Sequence, residues 1–204
     1  MSLPKRLFIL SGPSGAGKTT IIQLLRNNPL VHFARTYTTR PMRLNESETG
    51  QYYFVSYDEF AAKIASGEIM EHSNIYGYLY GIPSDLFDTI PKDKPCAFVD
   101  VDPNAYHFLR ERFPNQCVGI FIARSLKQIR KNVVSRIETQ NCDKHEIETR
   151  ISIAYERIRL APGFDYLVIN QEGELEVTSA QINAIITAET LRMPPNIDLM
   201  KMLE

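Results

Sequence analysis

Gly12, Gly17, Lys18 and Thr19 fall in the spacing G-x-x-x-x-G-K-[ST] within SGPSGAGKTT, between the apolar run LFIL and the helical pattern TTIIQLLRN. That pattern suits one kind of chemistry. Glycines let the backbone curl until its amide hydrogens converge, a helix starting near Lys18 adds the positive end of its dipole, and the lysine ammonium supplies a full charge. Gly12, Pro13, Ser14, Gly15, Ala16, Gly17, Lys18, Thr19 and Thr20 are therefore read as a cradle for the phosphates of a nucleoside triphosphate. The Thr19 hydroxyl is the candidate ligand for the Mg²⁺ that accompanies it.

A second polar cluster suits a second phosphate. Arg40 and Arg43 lie three apart in a short polar loop, where two guanidinium forks can grip one monophosphate, and Tyr52 and Tyr80 add phenolic donors. Arg136 and Arg150 flank the polar stretch ETQNCDKHE on helical patterns, as expected of cations on a flap that closes over a site.

These groups must be positioned by a sheet. RLFILS (6–11), FART (33–36), CAFVDV (96–101), CVGIFI (117–122) and YLVIN (166–170) read as five short, buried strands alternating with helical patterns at 19–27, 104–113 and 125–137. The expected fold is α/β, a three-layer P-loop NTPase fold with a five-stranded parallel core sheet. The stretch 38–91, polar and tyrosine-rich, breaks this rhythm and is read as an insertion that binds the acceptor, and 136–150 as a mobile lid. One domain, 1–192, then has its core at 4–37 and 92–192, and a tail at 193–204 follows a double proline.

Composition narrows the partners. Basic and acidic residues number 23 and 24, for a net charge of -1, so any anion site is local and a general nucleic-acid binder is excluded. No apolar run approaches the roughly 18 residues of a membrane span, so no membrane partner and a cytoplasmic location are expected. Cys96, Cys117 and Cys142 have no metal or redox spacing. Monomer and homodimer both remain open.

A phosphate cradle alone does not separate kinase, switch and motor. TYTTRPMR (36–43), YYFVSYDEF (52–60), GEIMEHSNIYGYLYG (67–81) and FVDVD (98–102), together with SGPSGAGKT, resemble the guanylate kinases in content and order, from about Arg6 to Asn170. The resemblance implies transfer of a phosphoryl group from ATP to GMP or dGMP. It implies an acceptor phosphate held by Arg40, Arg43, Tyr52 and Tyr80, and a base contact from Thr36. It also implies guanine read by Glu71 and Asp100, lid arginines at Arg136 and Arg150, catalysis by Lys18, Arg40, Arg136 and Arg150, and Asn170 near the donor adenine. Guanine offers hydrogens on N1 and its amino group to a carboxylate, whereas adenine faces it with a bare acceptor.

Departures from the family pattern cluster on the acceptor side. Ile82 and Pro83 follow YG where a small hydroxyl residue is usual, leaving Ser84 as the candidate replacement. Asn132 stands where a further lid arginine is expected, with Lys131 or Arg130 as candidates to compensate. Asp102, in DVDPNA, is read as orienting water around the metal or bracing the phosphate loop. Two alternatives follow: a ribose 1,5-bisphosphate phosphokinase-like enzyme, and a binding module of the same fold without catalysis. The intact Lys18 and Thr19 weigh against the module, and no N-K-x-D element supports a GTPase switch.

Overall fold

The computed structural model describes residues 5–43, 46–47, 50–138 and 144–193, without the side chains of 136–138 and 144–146. The tail from residue 194 and the lid tip at 139–143 lie outside the described residues.

The core sheet is built from β1 (Arg6–Ser11), β2 (Val31–Phe33), β7 (Cys96–Asp100), β8 (Cys117–Ala123) and β9 (Tyr166–Ile169) in the order β2-β7-β1-β8-β9, with every pairing parallel. β1 is buried at every position, as a central parallel strand covered on both faces must be. On one face Phe8, Leu10, Phe98 and Ile120 pack with Ile21, Ile22 and Leu25 of α1 (Lys18–Leu25) and with Ile182 and Ile186 of α6 (Leu175–Thr190). On the other, Leu7, Ile9, Ala97 and Val99 pack with Ala105, Tyr106 and Leu109 of α3 (Pro103–Arg112), together with Leu86 and Ile90. Two apolar layers thus fix the carboxyl ends of β1 and β7 beside each other, with Leu10 opposite Asp100.

A second sheet, ordered β4-β3-β6-β5, is formed by β3 (Thr36–Thr38), β4 (Tyr52–Phe54), β5 (Ile69–Ile75) and β6 (Tyr78–Pro83). β3 runs parallel to β4 and antiparallel to β6, and β5 and β6 form a hairpin. Helix α2 (Tyr57–Ala65) supports it, opened by a reciprocal cap between Ser56 and Glu59 and seated by Phe60 against Gly81 and Ile69.

The strand expected at 33–36 is corrected. The chain leaves the core sheet after Phe33, where the Ala34 amide makes a last bond to the Phe98 carbonyl, and re-enters a strand at Thr36 in the other sheet. Both halves have the same extended, apolar character, so composition does not mark the turn between them.

Helices α4 (Leu126–Glu138) and α5 (Lys144–Arg159) pack through a small core of Ile129, Val133, Ile151 and Ala154. No helix among the described residues is long and apolar enough to cross a membrane.

Candidate functional site

The phosphate loop joins β1 to α1, and its glycines are sterically required. Gly12 has φ +144°, and a Cβ there would lie 2.3 Å from the Ile122 carbonyl oxygen; Gly17 has φ +92°, and a Cβ there would meet Asn170 Nδ2 at 2.4 Å. Two side chains hold the curl from outside: Asn132 Nδ2 donates to the Gly15 carbonyl and Asn170 Nδ2 to that of Ala16, each at 2.8 Å. Lys18 Nζ folds over the loop and donates to the Gly12 carbonyl at 2.7 Å.

Across from the loop, the second sheet presents alternate side chains of β3, β4 and β6. Thr36 is in register with Tyr52, and Thr38 with Tyr80, so the two phenols face one another with ring centroids 6.0 Å apart. The Arg40 guanidinium, only 8% exposed, lies 5.5 Å from the centre of the Tyr52 ring. Glu46 accepts from both terminal nitrogens of Arg40, at 3.0 and 2.8 Å, and from the Arg43 amide at 2.9 Å. Burial penalises the charges of both partners, but their mutual hydrogen bonds prevail, raising the Arg40 pKa and lowering that of Glu46. Burial and the nearby Asp100 charge push the Tyr52 phenol well above its usual range, so it is a hydrogen-bond donor at neutral pH.

Two carboxylates enter between these groups. A register shift between Ile69 and Glu71 turns Glu71 into the space beneath the sheet, opposite Ile82. Burial, with Asp102 as a lesser cause, pushes the Glu71 carboxyl up to about 7. Asp100 ends β7 beside the phosphate loop, at the carboxyl edge of a parallel sheet where ligands collect.

The loop residues Gly12, Pro13, Ser14, Gly15, Gly17, Lys18 and Thr19 line one continuous cleft with Thr36, Arg40, Arg43, Tyr52, Glu71, Tyr80, Asp100 and Arg150. The remaining expected site residues lie elsewhere. Ala16 is fully buried, and Thr20 is exposed on α1 outside the cleft lining. Asn170 is buried beneath the loop and borders a separate shallow groove with Arg124, Ser125, Gln128 and Glu172. The Arg136 side chain lies outside the described residues.

One expected substitute is corrected. Ser84 is exposed, donates to the Gly67 carbonyl and does not line the cleft, so it does not replace a hydroxyl at Ile82. Arg130 pairs with Glu148 at 2.7 Å and Lys131 with Glu172 at 3.3 Å, both on the surface, and neither lines the cleft. Asp102 caps α3 by accepting from the Asn104 amide at 2.8 Å, takes a 2.6 Å hydrogen bond from Ser73, and lines the cleft with the phosphate loop.

Sequence reasoning missed other groups in the cleft: Ser73, Tyr76, Tyr78 and Arg157. Arg157 carried a signal, since it stands seven residues after Arg150 on the same helix and so shares its face. Glu46 carried one too, three residues after Arg43. As for a metal, no group of three or more His, Cys, Asp or Glu forms a cluster among the described residues. The Thr19 hydroxyl beside the loop fits Mg²⁺, which is held mainly by substrate phosphates and water.

Comparison with known proteins adds the lineage of this cleft. A family profile described as guanylate kinase matches residues 4–189. Among curated relatives, a guanylate kinase of Symbiobacterium thermophilum is 32% identical over 191 residues, 93% of this chain and 88% of that protein. One from Helicobacter pylori is 34% identical over 170 residues, 82% and 81% of the two chains. A crystal structure of guanylate kinase from Anaplasma phagocytophilum superposes with a TM-score of 0.77 at 26% identity, covering 100% of this chain and 95% of the other.

Proposed function

The chain belongs to the guanylate kinase family and transfers a phosphoryl group from ATP to GMP, and from that premise we propose how its residues share the work. The observation that carries the reading is the single cleft shared by the phosphate loop and the Arg40–Arg43 loop. A donor phosphate chain in the first and an acceptor phosphate in the second would meet end to end.

On the donor side, the amides of Gly12 to Thr19 and the Lys18 ammonium bind the β- and γ-phosphates. Lys18 leaves the Gly12 carbonyl to do so, trading a neutral acceptor for a charged one. Thr19 would hold the Mg²⁺ that accompanies ATP, which would supply neutralising charge for the phosphate chain. Asn170 holds the loop from below, and the groove it borders with Arg124 suits the donor base.

On the acceptor side, Arg43, Tyr52 and Tyr80 donate to the GMP phosphate, with Arg40 fixed among them by Glu46. An oxygen of that phosphate forms the new bond to the γ-phosphorus while the bond to the β–γ bridging oxygen breaks, and ADP departs with the electron pair. Arg150, and Arg136 as the lid closes, offset the charge on the transferring group. Thr36, Glu71 and Asp100 read the base. A carboxylate that accepts from guanine N1–H and the amino group would face a lone pair in adenine, a mismatch worth several kcal/mol. The same reading takes dGMP as an acceptor as well.

The test is release of ADP with ATP, Mg²⁺ and, in turn, GMP, dGMP, AMP, UMP and ribose 1,5-bisphosphate. GMP and dGMP are expected to support turnover at least a hundredfold faster than AMP or UMP. A preference for the bisphosphate would overturn the acceptor assignment.

A further inference from the structure

The β5–β6 hairpin closes between the paired residues Ile75 and Tyr78, leaving Tyr76 and Gly77 as its two-residue turn. Both have positive φ, 55° and 84°, the geometry of a type I′ turn. Asparagine followed by glycine is the usual solution, because asparagine tolerates left-handed backbone and tyrosine does so poorly. Tyr76 is the one positive-φ non-glycine among the described residues. Locally, then, the sequence goes against what the turn prefers.

The side chain shows what that choice places in the cleft. Tyr76 lines it, with its ring 5.2 Å from the Arg150 guanidinium and 5.7 Å from that of Arg157. Its hydroxyl is buried and has no hydrogen-bond partner among the described residues. A ring kept only for stacking under arginines has no need of a buried hydroxyl, which costs desolvation without a partner; phenylalanine would serve better. The phenol also has the acceptor-side Tyr80 as a neighbour. Burial raises its pKa, Arg157 and Arg150 oppose the rise and Tyr80 adds to it, so it carries its proton at neutral pH. Tyr80 in turn neighbours Arg40.

We propose that Tyr76 is a further substrate-contacting residue, its hydroxyl donating a hydrogen bond to the phosphate oxygens at the acceptor end of the cleft, between Tyr80 on one side and Arg150 and Arg157 on the other. This inference rests on the reading of the cleft as a site for ATP and GMP. Strain at a turn, a buried donor without a partner and two cations on one ring all point to an anion at this place.

Two variants test it. Tyr76→Phe keeps the ring and its arginines but removes the donor, and kcat/KM for GMP is expected to fall about tenfold with the KM for ATP unchanged and the melting temperature equal or higher. Tyr76→Asn suits the turn but removes ring and donor together; its turnover should fall at least as far while its melting temperature does not drop. GMP turnover by either variant within twofold of the unmodified protein would overturn the inference and leave the proposed function intact. An unmodified protein that does not turn over GMP would overturn both.

Discussion

Asn132, on the helix that leads to the lid, donates its side-chain amide to the carbonyl of Gly15 at 2.8 Å. The contact ties α4 directly to the phosphate loop. Gly15 has φ +84°, which disfavours a side chain, and a Cβ there would lie 3.2 Å from Asn132 Cβ. Where the family pattern suggests an arginine, this chain uses a neutral amide to hold the loop carbonyl. Asn132→Ala should therefore raise the KM for ATP severalfold and cost about 1 kcal/mol of stability, measured by initial rates and by thermal melting. A variant with unchanged KM for ATP would remove loop anchoring as the role of Asn132.

Lys18 carries the donor end. Lys18→Ala removes the charge that meets the β- and γ-phosphates, a charge that in this structure donates to the Gly12 and Pro13 carbonyls of its own loop at 2.7 and 3.4 Å. Turnover should drop by roughly 10³ or more while the melting temperature stays within a few degrees. Residual activity near one tenth of normal would place the charge elsewhere.

Glu71 makes the enzyme sensitive to pH. Its carboxyl, pushed up to about 7 by burial and Asp102, holds a proton in the folded protein that the unfolded chain has already released. A raised acid pKa means that the folded state binds more protons, so stability falls as pH rises from the ordinary carboxylate range to about 7 and then levels off. The total is at most about 3 kcal/mol. Glu71→Gln should flatten that slope and melt higher than the unmodified protein at pH 8. Base recognition has the opposite sign, since an ionised Glu71 accepts from guanine, so the KM for GMP should fall as pH rises through about 7. In Glu71→Gln that dependence should vanish.

Glu46 and Arg40 form a pair in which the arginine is 8% and the acid 18% exposed. Removing one partner leaves a mostly buried charge without its hydrogen bonds. Glu46→Gln should cost about 2 kcal/mol in chemical denaturation and raise the KM for GMP more than the KM for ATP. Equal effects on both substrates would argue for a general loosening of the fold.

The phosphate loop was legible in the sequence because its chemistry is contiguous: six backbone positions, a lysine and a hydroxyl must follow one another. The core strands other than β2 were legible for a similar reason, since burial on both faces writes unbroken apolar runs such as RLFILS. The passage from core to second sheet was not, because Phe33 and Thr36 sit in one extended stretch whose two halves differ only in their partners. Groups that depend on register escaped too. Ser73 finds Asp102 across 29 residues, and Arg157 reaches the cleft only because α5 turns the same face to it as Arg150. Tyr76 needed the backbone dihedral to stand out, since in a tyrosine-rich stretch nothing in the sequence marks it as the residue at the turn.

The central claim is that one cleft holds two phosphate-bearing molecules in line, one in the loop around Lys18 and one at Arg40 and Arg43. The most direct measurement is calorimetric binding of adenosine and guanosine joined through a chain of five phosphates, which spans both sites with one molecule. The account predicts affinity at least a hundredfold tighter than that of ATP or GMP alone, with most of the gain lost in both Lys18→Ala and Arg43→Ala. Affinity no better than that of ATP alone, or unaffected by Arg43→Ala, would contradict it.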